Sequence, residues 1–321
     1  VSRNPEESKT SKYTYGPVPS RRLGFSLGID IIPHKNCSFD CIYCQLGKTL
    51  NKTLVRKEYA PVDCVLNEVR TVLKSTTRID YLTFSGSGEP TLHKRIGYLI
   101  TEVKKLTKIP VAVLTNGSLL YLPEVRCDLL DADLVAPTLC TVDEKIFQKI
   151  HRGHAGLDID KIIQGYIEFR KTYKGKIWLE VMMIKGINDE PDTIEELKRA
   201  IDRIKPDKIH LNTVVRPPSE NYARPVPQKT LQNIKTMLGN KCEIIADFKS
   251  NRITTRQMDQ LTRIEAIIAR RPVTIDDLTK ISGLHRNEII KATQVLVQQA
   301  KIVISKHQGR IFYRTIRGTD D

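Results

Sequence analysis

The sequence predicts an α/β fold, a partial (β/α)6 barrel of the TIM-like kind followed by a small C-terminal winged-helix domain, and three observations predict it. Short β-branched or apolar runs at residues 26–32, 81–84, 111–114, 133–136, 177–184 and 209–214 alternate with stretches of helical spacing. That alternation is the grammar of parallel β/α construction. Residues 248–256 are polar and lack periodicity, which divides the chain into a barrel over 1–250 and a second domain over 251–321. Beyond the break, three helical patterns are followed by two short strands.

Six strand–helix units are too few to close a TIM barrel, and sites are expected at the C-terminal ends of the strands. After the first strand, Val65, Leu66, Val69, Val72 and Leu73 fall on one helical face. Before the fifth, Ile159, Ile162, Ile163, Tyr166, Ile167 and Phe169 do the same, the spacing of a helix with one buried side. A seventh apolar run at 243–246 is expected to close one edge or lead out of the barrel. In the second domain Leu261, Ile264, Ile267 and Ile268 mark one helix. Thr274 with Asp277 three residues on reads as a capping box that opens another. Ser282-Gly283 supplies a turn, and Ile289, Ile290, Thr293, Leu296 and Val297 mark the third helix. Strands at 302–305 and 310–314, joined by Lys306-His307-Gln308-Gly309, complete the winged helix-turn-helix pattern.

The 321 residues are 40% hydrophobic and 28% charged, enough apolar material for a sizeable core. No apolar run approaches the roughly 20 residues that span a bilayer. The start is polar, with Glu6 and Glu7 where a signal peptide would carry an apolar stretch. The expected location is the cytoplasm, with no membrane partner. The net charge of +15 is uneven, because residues 251–321 hold 13 Lys/Arg against 7 Asp/Glu. That excess suits a polyanionic partner. Arg286 and Lys291 on the third helix, with Lys306, Arg310 and Arg314 on or beside the wing, are the candidate phosphate contacts; a merely solvated basic surface is the alternative.

Seven cysteines without spaced pairs argue against a disulfide framework. Cys37, Cys41 and Cys44 form a C-x3-C-x2-C arrangement just after the first strand. Three thiolates on a short loop can hold three corners of a cubane iron–sulfur cluster and leave the fourth iron open to a small molecule. A zinc site would need a fourth ligand, for which His34 is the candidate. Gly86-Ser87-Gly88-Glu89-Pro90 follows the second strand. Its glycines admit close backbone approach to a ligand, and Glu89 offers a carboxylate to a cationic amino group. Thr115-Asn116-Gly117 ends the third strand in the same relative position.

The triad with Tyr43 before its last cysteine, followed by the G-x-G-E-P turn, resembles the radical-SAM superfamily. The resemblance implies a [4Fe-4S] cluster ligated by Cys37, Cys41 and Cys44, with S-adenosylmethionine chelated to its unique iron. It implies that Gly86, Ser87, Gly88 and Glu89 receive the methionine amino group and that Tyr43 sits against the adenine. It further implies reductive cleavage to a 5′-deoxyadenosyl radical that abstracts hydrogen from substrate, and a low-potential electron donor of the flavodoxin or ferredoxin type. The segment from Tyr15 to Asp30, with Leu179-Glu180-Val181, Lys185 to Asp189, Leu211-Asn212-Thr213 and Arg216-Pro217-Pro218, is similar to an Fe–S oxidoreductase group related to the wyosine synthases, which modify tRNA. By that similarity Asn116, Glu180 and Asn212 at strand ends line the cofactor site; the alternative for each is a backbone cap.

The match to wyosine synthases has gaps. No cysteine lies upstream of Cys37 for a second cluster, Gln45-Leu46-Gly47 stands where those enzymes place a Trp-Arg-type pair, and no pyruvate-binding lysine can be assigned. The tRNA-base reaction is therefore not carried over; the substrate stays unidentified, with tRNA or another RNA as one candidate class. The alternatives are a redox- or S-adenosylmethionine-responsive DNA-binding regulator and a peptide- or protein-modifying enzyme. Arg21 and Arg22, before the first strand, are candidates to clamp a substrate phosphate or carboxylate. Cys140 ends the fourth strand where relatives carry an aspartate; packing is the favoured reading, with a radical-relay thiol or a cluster ligand as the other. Cys64, Cys127 and Cys242 are too scattered for an auxiliary cluster. His151-Arg152-Gly153-His154 is expected to cap the C-terminus of a helix.

Overall fold

The structure is a computed structural model and describes residues 12–76, 78–216, 218–246, 255–270, 272–307 and 310–315. It divides into two compact units: one runs from Gly16 to Phe248, and the other joins the residues before it to those after it.

The first unit is built on an eight-stranded sheet. Its strands are β1 (Thr14–Ser20), β2 (Gly24–Ile29), β5 (Tyr81–Phe84), β6 (Val111–Leu114), β7 (Leu134–Ala136), β8 (Lys176–Met183), β9 (Lys208–Thr213) and β10 (Cys242–Ile244), in that spatial order. From β2 to β10 every neighbouring pair is parallel. The central strands are buried almost residue by residue, as parallel strands covered on both faces must be. The crossovers are helical: α1 (Val62–Ser75), α2 (Ile96–Leu106), α3 (Pro123–Asp128), α4 (Glu144–His151), α5 (Ile159–Thr172), α6 (Pro191–Ile204) and α7 (Gln228–Leu238). Their starts are readable locally. Asp143 caps α4 by accepting from Ile146 N at 2.8 Å, and Asp158 caps α5 by accepting from Lys161 N at 2.8 Å. A two-residue ladder of β3 (Asn36–Cys37) with β4 (Asn51–Lys52) ties off the long loop after β2.

The sheet is rolled, and the turn between β1 and β2 shows it. A flat sheet at about 4.8 Å per strand would put β2 and β8 about 19 Å apart. Instead Arg22 Nη1 donates to Glu180 Oε2 of β8 at 3.0 Å, and Leu23 packs with Ala112, Leu134 and Trp178 of three different strands. Arg21 Nη1 reaches Ile245 O, just past β10, at 3.4 Å. The sheet is thus an open barrel whose first turn fills its interior.

The expected strands are present within two or three residues of their sequence positions, and the run at 243–246 is the parallel edge strand β10. The sequence pattern missed β1. Pro17 and Pro19 interrupt it, and proline is tolerated in a strand only where no ladder hydrogen bond is lost; β1 is the opposite edge of the sheet.

The second unit holds α8 (Thr255–Arg270), α9 (Ile275–Ser282), α10 (Arg286–Gln298) and the antiparallel hairpin of β11 (Ile302–His307) with β12 (Arg310–Thr315). It has a core of its own around Ile264, Ile268, Leu278, Ile289, Leu296 and Ile302. The Thr274–Asp277 capping box forms, with Asp277 N donating to Thr274 Oγ1 at 3.1 Å and Thr274 N to Asp277 Oδ2 at 2.9 Å. Gly283 ends α9 at φ 70°, and His285 opens α10. Of the proposed phosphate contacts, Arg286 pairs with Asp276, and the Lys291 ammonium lies 5.2 Å from the centre of the Tyr15 ring. Arg310 and Arg314 are exposed on β12. The Lys306 side chain, the hairpin link at 308–309 and most of the boundary segment 248–256 lie outside the described residues. Among the described residues no helix is long and apolar enough to cross a membrane.

Candidate active site

Because β2 and β5 to β9 are parallel, the loops that follow them meet at one end of the barrel, and the cysteine loop is held there from two sides. On one side is the turn 86–90: Lys35 N donates to Ser87 O at 2.7 Å, and Glu89 N donates to Asn36 O at 3.1 Å. The turn's glycines are required by this clamp. A Cβ on Gly88 would overlap the Asn36 carbonyl, and one on Gly86 would overlap the Asp30 carboxylate, which instead accepts Ser87 N at 3.1 Å and Ser87 Oγ at 2.6 Å. The room those glycines give is therefore filled by protein groups. On the other side the end of α4 meets the middle of the loop, with Asp40 N donating to His151 O at 2.8 Å and Ile42 N to Ile150 O at 2.9 Å.

Each triad sulfur has a polar neighbour. Asn116 Nδ2 approaches Cys37 Sγ at 3.4 Å, His151 Nδ1 lies 3.2 Å from Cys41 Sγ, and Lys35 Nζ donates to Cys44 Sγ at 3.1 Å. Burial pushes the Cys37 thiol up to about 12, helped by the Glu89 carboxylate. Burial, then Cys37, Cys44 and Cys140, push Cys41 well above its ordinary value. Without a positive load Cys37 and Cys41 keep their protons, and a metal that takes them as thiolates supplies that load. Among the described residues no three or more His, Cys, Asp or Glu side chains gather closely enough to hold one metal ion. Three soft sulfurs so disposed suit a cluster that takes one thiolate per iron better than one tetrahedral zinc with His34 as fourth ligand.

Glu89 is fastened by the protein's own donors. It is 2% exposed. Its Oε1 accepts from Thr91 N at 3.0 Å, Thr91 Oγ1 at 2.6 Å and Thr115 Oγ1 at 2.6 Å, and its Oε2 accepts from Asn116 N at 2.7 Å. A carboxylate has about four acceptor sites; protein donors fill Oε1, and Oε2, with a single donor, keeps one site. Burial still outweighs them and raises its pKa. In this arrangement Glu89 joins the turn after β5 to the end of β6 and thereby aims Asn116, whose amide also donates to Ser38 Oγ at 2.8 Å.

Deeper in the barrel the structure brings Arg21, Arg22, Glu180 and Asn212 together. Glu180 Oε1 accepts from Asn212 Nδ2 at 3.0 Å, and Asn212 Oδ1 accepts from Arg21 Nη1 at 3.2 Å. Burial opposes ionisation of Glu180, but Arg22, Asn212 and Arg21 outweigh it and hold the carboxyl below its usual range. His210, which faces Glu180 across the β8–β9 register, is pushed down to about 4 by burial and Arg22. The Tyr43 ring stands edge-on to His151 at 5.8 Å, and its hydroxyl faces the Cys41 and Cys140 thiols. Cys140 is buried among Ile42, Ile150, Met182, Ile184 and Val214, and burial pushes its thiol up to about 12.

Cys64 and Cys127 are exposed on separate helices, and Cys242 is buried on β10. The His151–His154 string does end α4, with Arg152 left-handed at φ 45°. Yet His151 turns inward onto Cys41, which the capping reading missed. Lys35 was missed as well. It is 4% exposed, and a lone lysine in a loop carries no motif that marks it as buried.

Comparison with known proteins supplies independent findings. Residues 31–197 match the model described as the Radical SAM superfamily. A UPF0026 protein of Methanocaldococcus jannaschii is 37% identical over 95% of this chain and 97% of its own length. A protein of Brachyspira hyodysenteriae named GTPase Obg is 38% identical over 94% of this chain, but the chain spans only 45% of that relative. Among solved structures, a radical SAM methyltransferase from Sphaerobacter thermophilus aligns with a TM-score of 0.53 at 14% identity, covering 71% of this chain and 68% of that one; at that identity the likeness concerns the fold.

Proposed function

From the premise that the chain belongs to the radical SAM superfamily, whose enzymes use a [4Fe-4S] cluster and S-adenosylmethionine, we propose that Cys37, Cys41 and Cys44 hold that cluster at the barrel mouth. When bound and reduced, the cluster supplies the electron that splits S-adenosylmethionine into methionine and a 5′-deoxyadenosyl radical, which takes a hydrogen atom from substrate. The protein's own work is placement. Lys35 and Asn116 direct N–H groups at Cys44 and Cys37. The turn 86–90 fixes the backbone before Cys37, and Ile42, Cys140, Met182 and Val214 keep the floor apolar and dry. Tyr43, Asn116 just past β6, and, farther in, Glu180 within β8 and Asn212 near the end of β9 line the space between the thiols and the barrel interior.

The observation that carries this reading is the triad loop clamped between the turn 86–90 and α4, with N–H donors aimed at its sulfurs. Anaerobic reconstitution should give about four irons per chain and a protein that forms 5′-deoxyadenosine under reduction. Cys41→Ala should lose both. A colourless protein with stoichiometric zinc would reject the assignment.

For substrate, we propose a nucleic acid delivered by the C-terminal unit, read as a winged helix. The excess of 13 Lys/Arg over 7 Asp/Glu in residues 251–321 supports it, and so do Arg310 and Arg314, exposed on the hairpin.

A further inference from the structure

Arg216 lies in the loop after β9 that returns over the triad. In that loop Glu220 N donates to Ile42 O at 2.9 Å, and Val214 and Ala223 pack with Ile42 and Cys140. Arg216 Nη1 donates to Gln45 Oε1 at 3.0 Å, and Gln45 is the residue that follows Cys44. Four other part-buried guanidiniums of this unit face carboxylates: Arg22 with Glu180 at 3.0 Å, Arg152 with Glu220 at 2.7 Å, Arg170 with Asp207 at 3.1 Å, and Arg56 with Asp128; a fifth, Arg126, donates to two anchoring carbonyls, Leu120 O at 2.9 Å and Tyr121 O at 2.8 Å. Arg216 does not; among the described residues its partner is a neutral amide, and no carboxylate pairs with it. Burial lowers its pKa with no acidic neighbour to offset the effect. A guanidinium cannot shed its proton at any ordinary pH, and a largely desolvated cation is costly unless an anion compensates it.

We infer that Arg216 is the anion-recognition residue of the barrel mouth, taking a carboxylate or phosphate on the N–H edges that Gln45 does not use. The planar fork of the guanidinium matches either anion with two parallel hydrogen bonds. Two sources bring such a group to this place, the carboxylate of S-adenosylmethionine and an anionic group of the substrate. The inference rests on the proposed function for the identity of the mouth, and on the partners of Arg216 alone for its chemistry.

The test compares wild type, Arg216→Gln and Arg216→Lys. Iron content after reconstitution comes first and should be equal in all three, since no cluster ligand is touched. Binding of S-adenosylmethionine and of its decarboxylated analogue is then measured by calorimetry, together with binding of inorganic phosphate to the unreconstituted full-length protein. If the anion is the cofactor's, Arg216→Gln weakens S-adenosylmethionine by about ten-fold or more and leaves the decarboxylated analogue unchanged. If it is the substrate's, cofactor binding is the same in all three proteins, while phosphate binding falls about ten-fold in Arg216→Gln and survives in Arg216→Lys. Equal binding of every probe by wild type and Arg216→Gln overturns the inference. So does a parallel loss of iron and of both adenosyl compounds, which marks a purely structural residue. A wild-type protein that takes up no iron counts against the proposed function instead, and the phosphate arm still reads the inference.

Discussion

A buried carboxylate that accepts four hydrogen bonds is held in place by its donors and holds them in turn, and Glu89 is such a group. Glu89→Ala strands two backbone amides and two threonine hydroxyls, and should lower the unfolding free energy of the metal-free protein by about 3 kcal/mol or more. Thr115→Val removes one of those donors and also the acceptor of Gly117 N, and should cost about 2 kcal/mol. Urea titrations of the two variants separate this strut from a direct cofactor ligand: an Ala variant as stable as wild type but weak in cofactor binding would make the direct role the main one. Lys35 makes a second case. Lys35→Met keeps the volume and removes the charge 3.1 Å from Cys44. A nearby cation favours the more negative, reduced state of a cluster, so the variant should show a lower midpoint potential in a spectroelectrochemical titration. The contrast between these residues says what a sequence discloses about a site. The cysteines and the G-x-G-E-P turn are legible because their spacing is the chemistry. Lys35 and His151 are not, because what matters is which way a single loop lysine or a helix-end histidine turns, and tertiary packing decides that.

At the scale of elements, the strands and helices were legible where burial imposes a period. The faces of α1 and α5 and the runs of β5 and β6 sit where apolar spacing put them. β1 was hidden by its prolines, and the inward use of the β1–β2 turn was hidden because Arg21 and Arg22 read as clamps for a substrate anion, with Asn212 and Glu180 as their partners only once the sheet rolls around them. The fold also fixes two histidines in their neutral form. On the loop after β5, His93 Nε2 lies 3.0 Å from Ala60 O while its Nδ1 accepts from Arg95 N at 3.2 Å. One ring nitrogen therefore donates, the other accepts, and a second proton would face an N–H. Burial lowers the His93 pKa and pushes His210 of β9 down to about 4. For a histidine held below its unfolded value near 6.5, the unfolded chain binds the proton first, so stability is full above that pH and is lost as pH falls toward the folded value. Urea midpoints should therefore drop between pH 7 and pH 5, with His210 contributing on the order of 2 kcal/mol. His210→Phe should flatten part of that dependence, and an unchanged slope would show that His210 titrates normally.

Over the whole molecule the two units differ in charge and in core. Each has its own hydrophobic centre, and that of the C-terminal unit includes Ile264, Leu278, Ile289 and Leu296. A chain ending at Lys249 should therefore still take up iron and form 5′-deoxyadenosine. What it should lose is affinity for a polyanion, because the basic excess lies beyond that point. Arg286 is paired with Asp276 and Lys291 packs on Tyr15, so neither is offered first to a phosphate. The exposed Arg310 and Arg314 are the better contacts. If they meet phosphates, binding of tRNA and of duplex DNA should weaken steeply as salt rises. Arg310→Ala and Arg314→Ala should each reduce the log–log slope by about 0.7 to 0.9, the signature of one released counterion. Arg286→Ala should leave the slope unchanged while loosening the α9–α10 turn. Salt titrations of full-length protein, the truncated chain and the three variants decide the matter. If full-length and truncated chains bind equally weakly, nucleic acid is removed as the cargo of the C-terminal unit, and a peptide becomes the better substrate for a barrel that is otherwise unchanged.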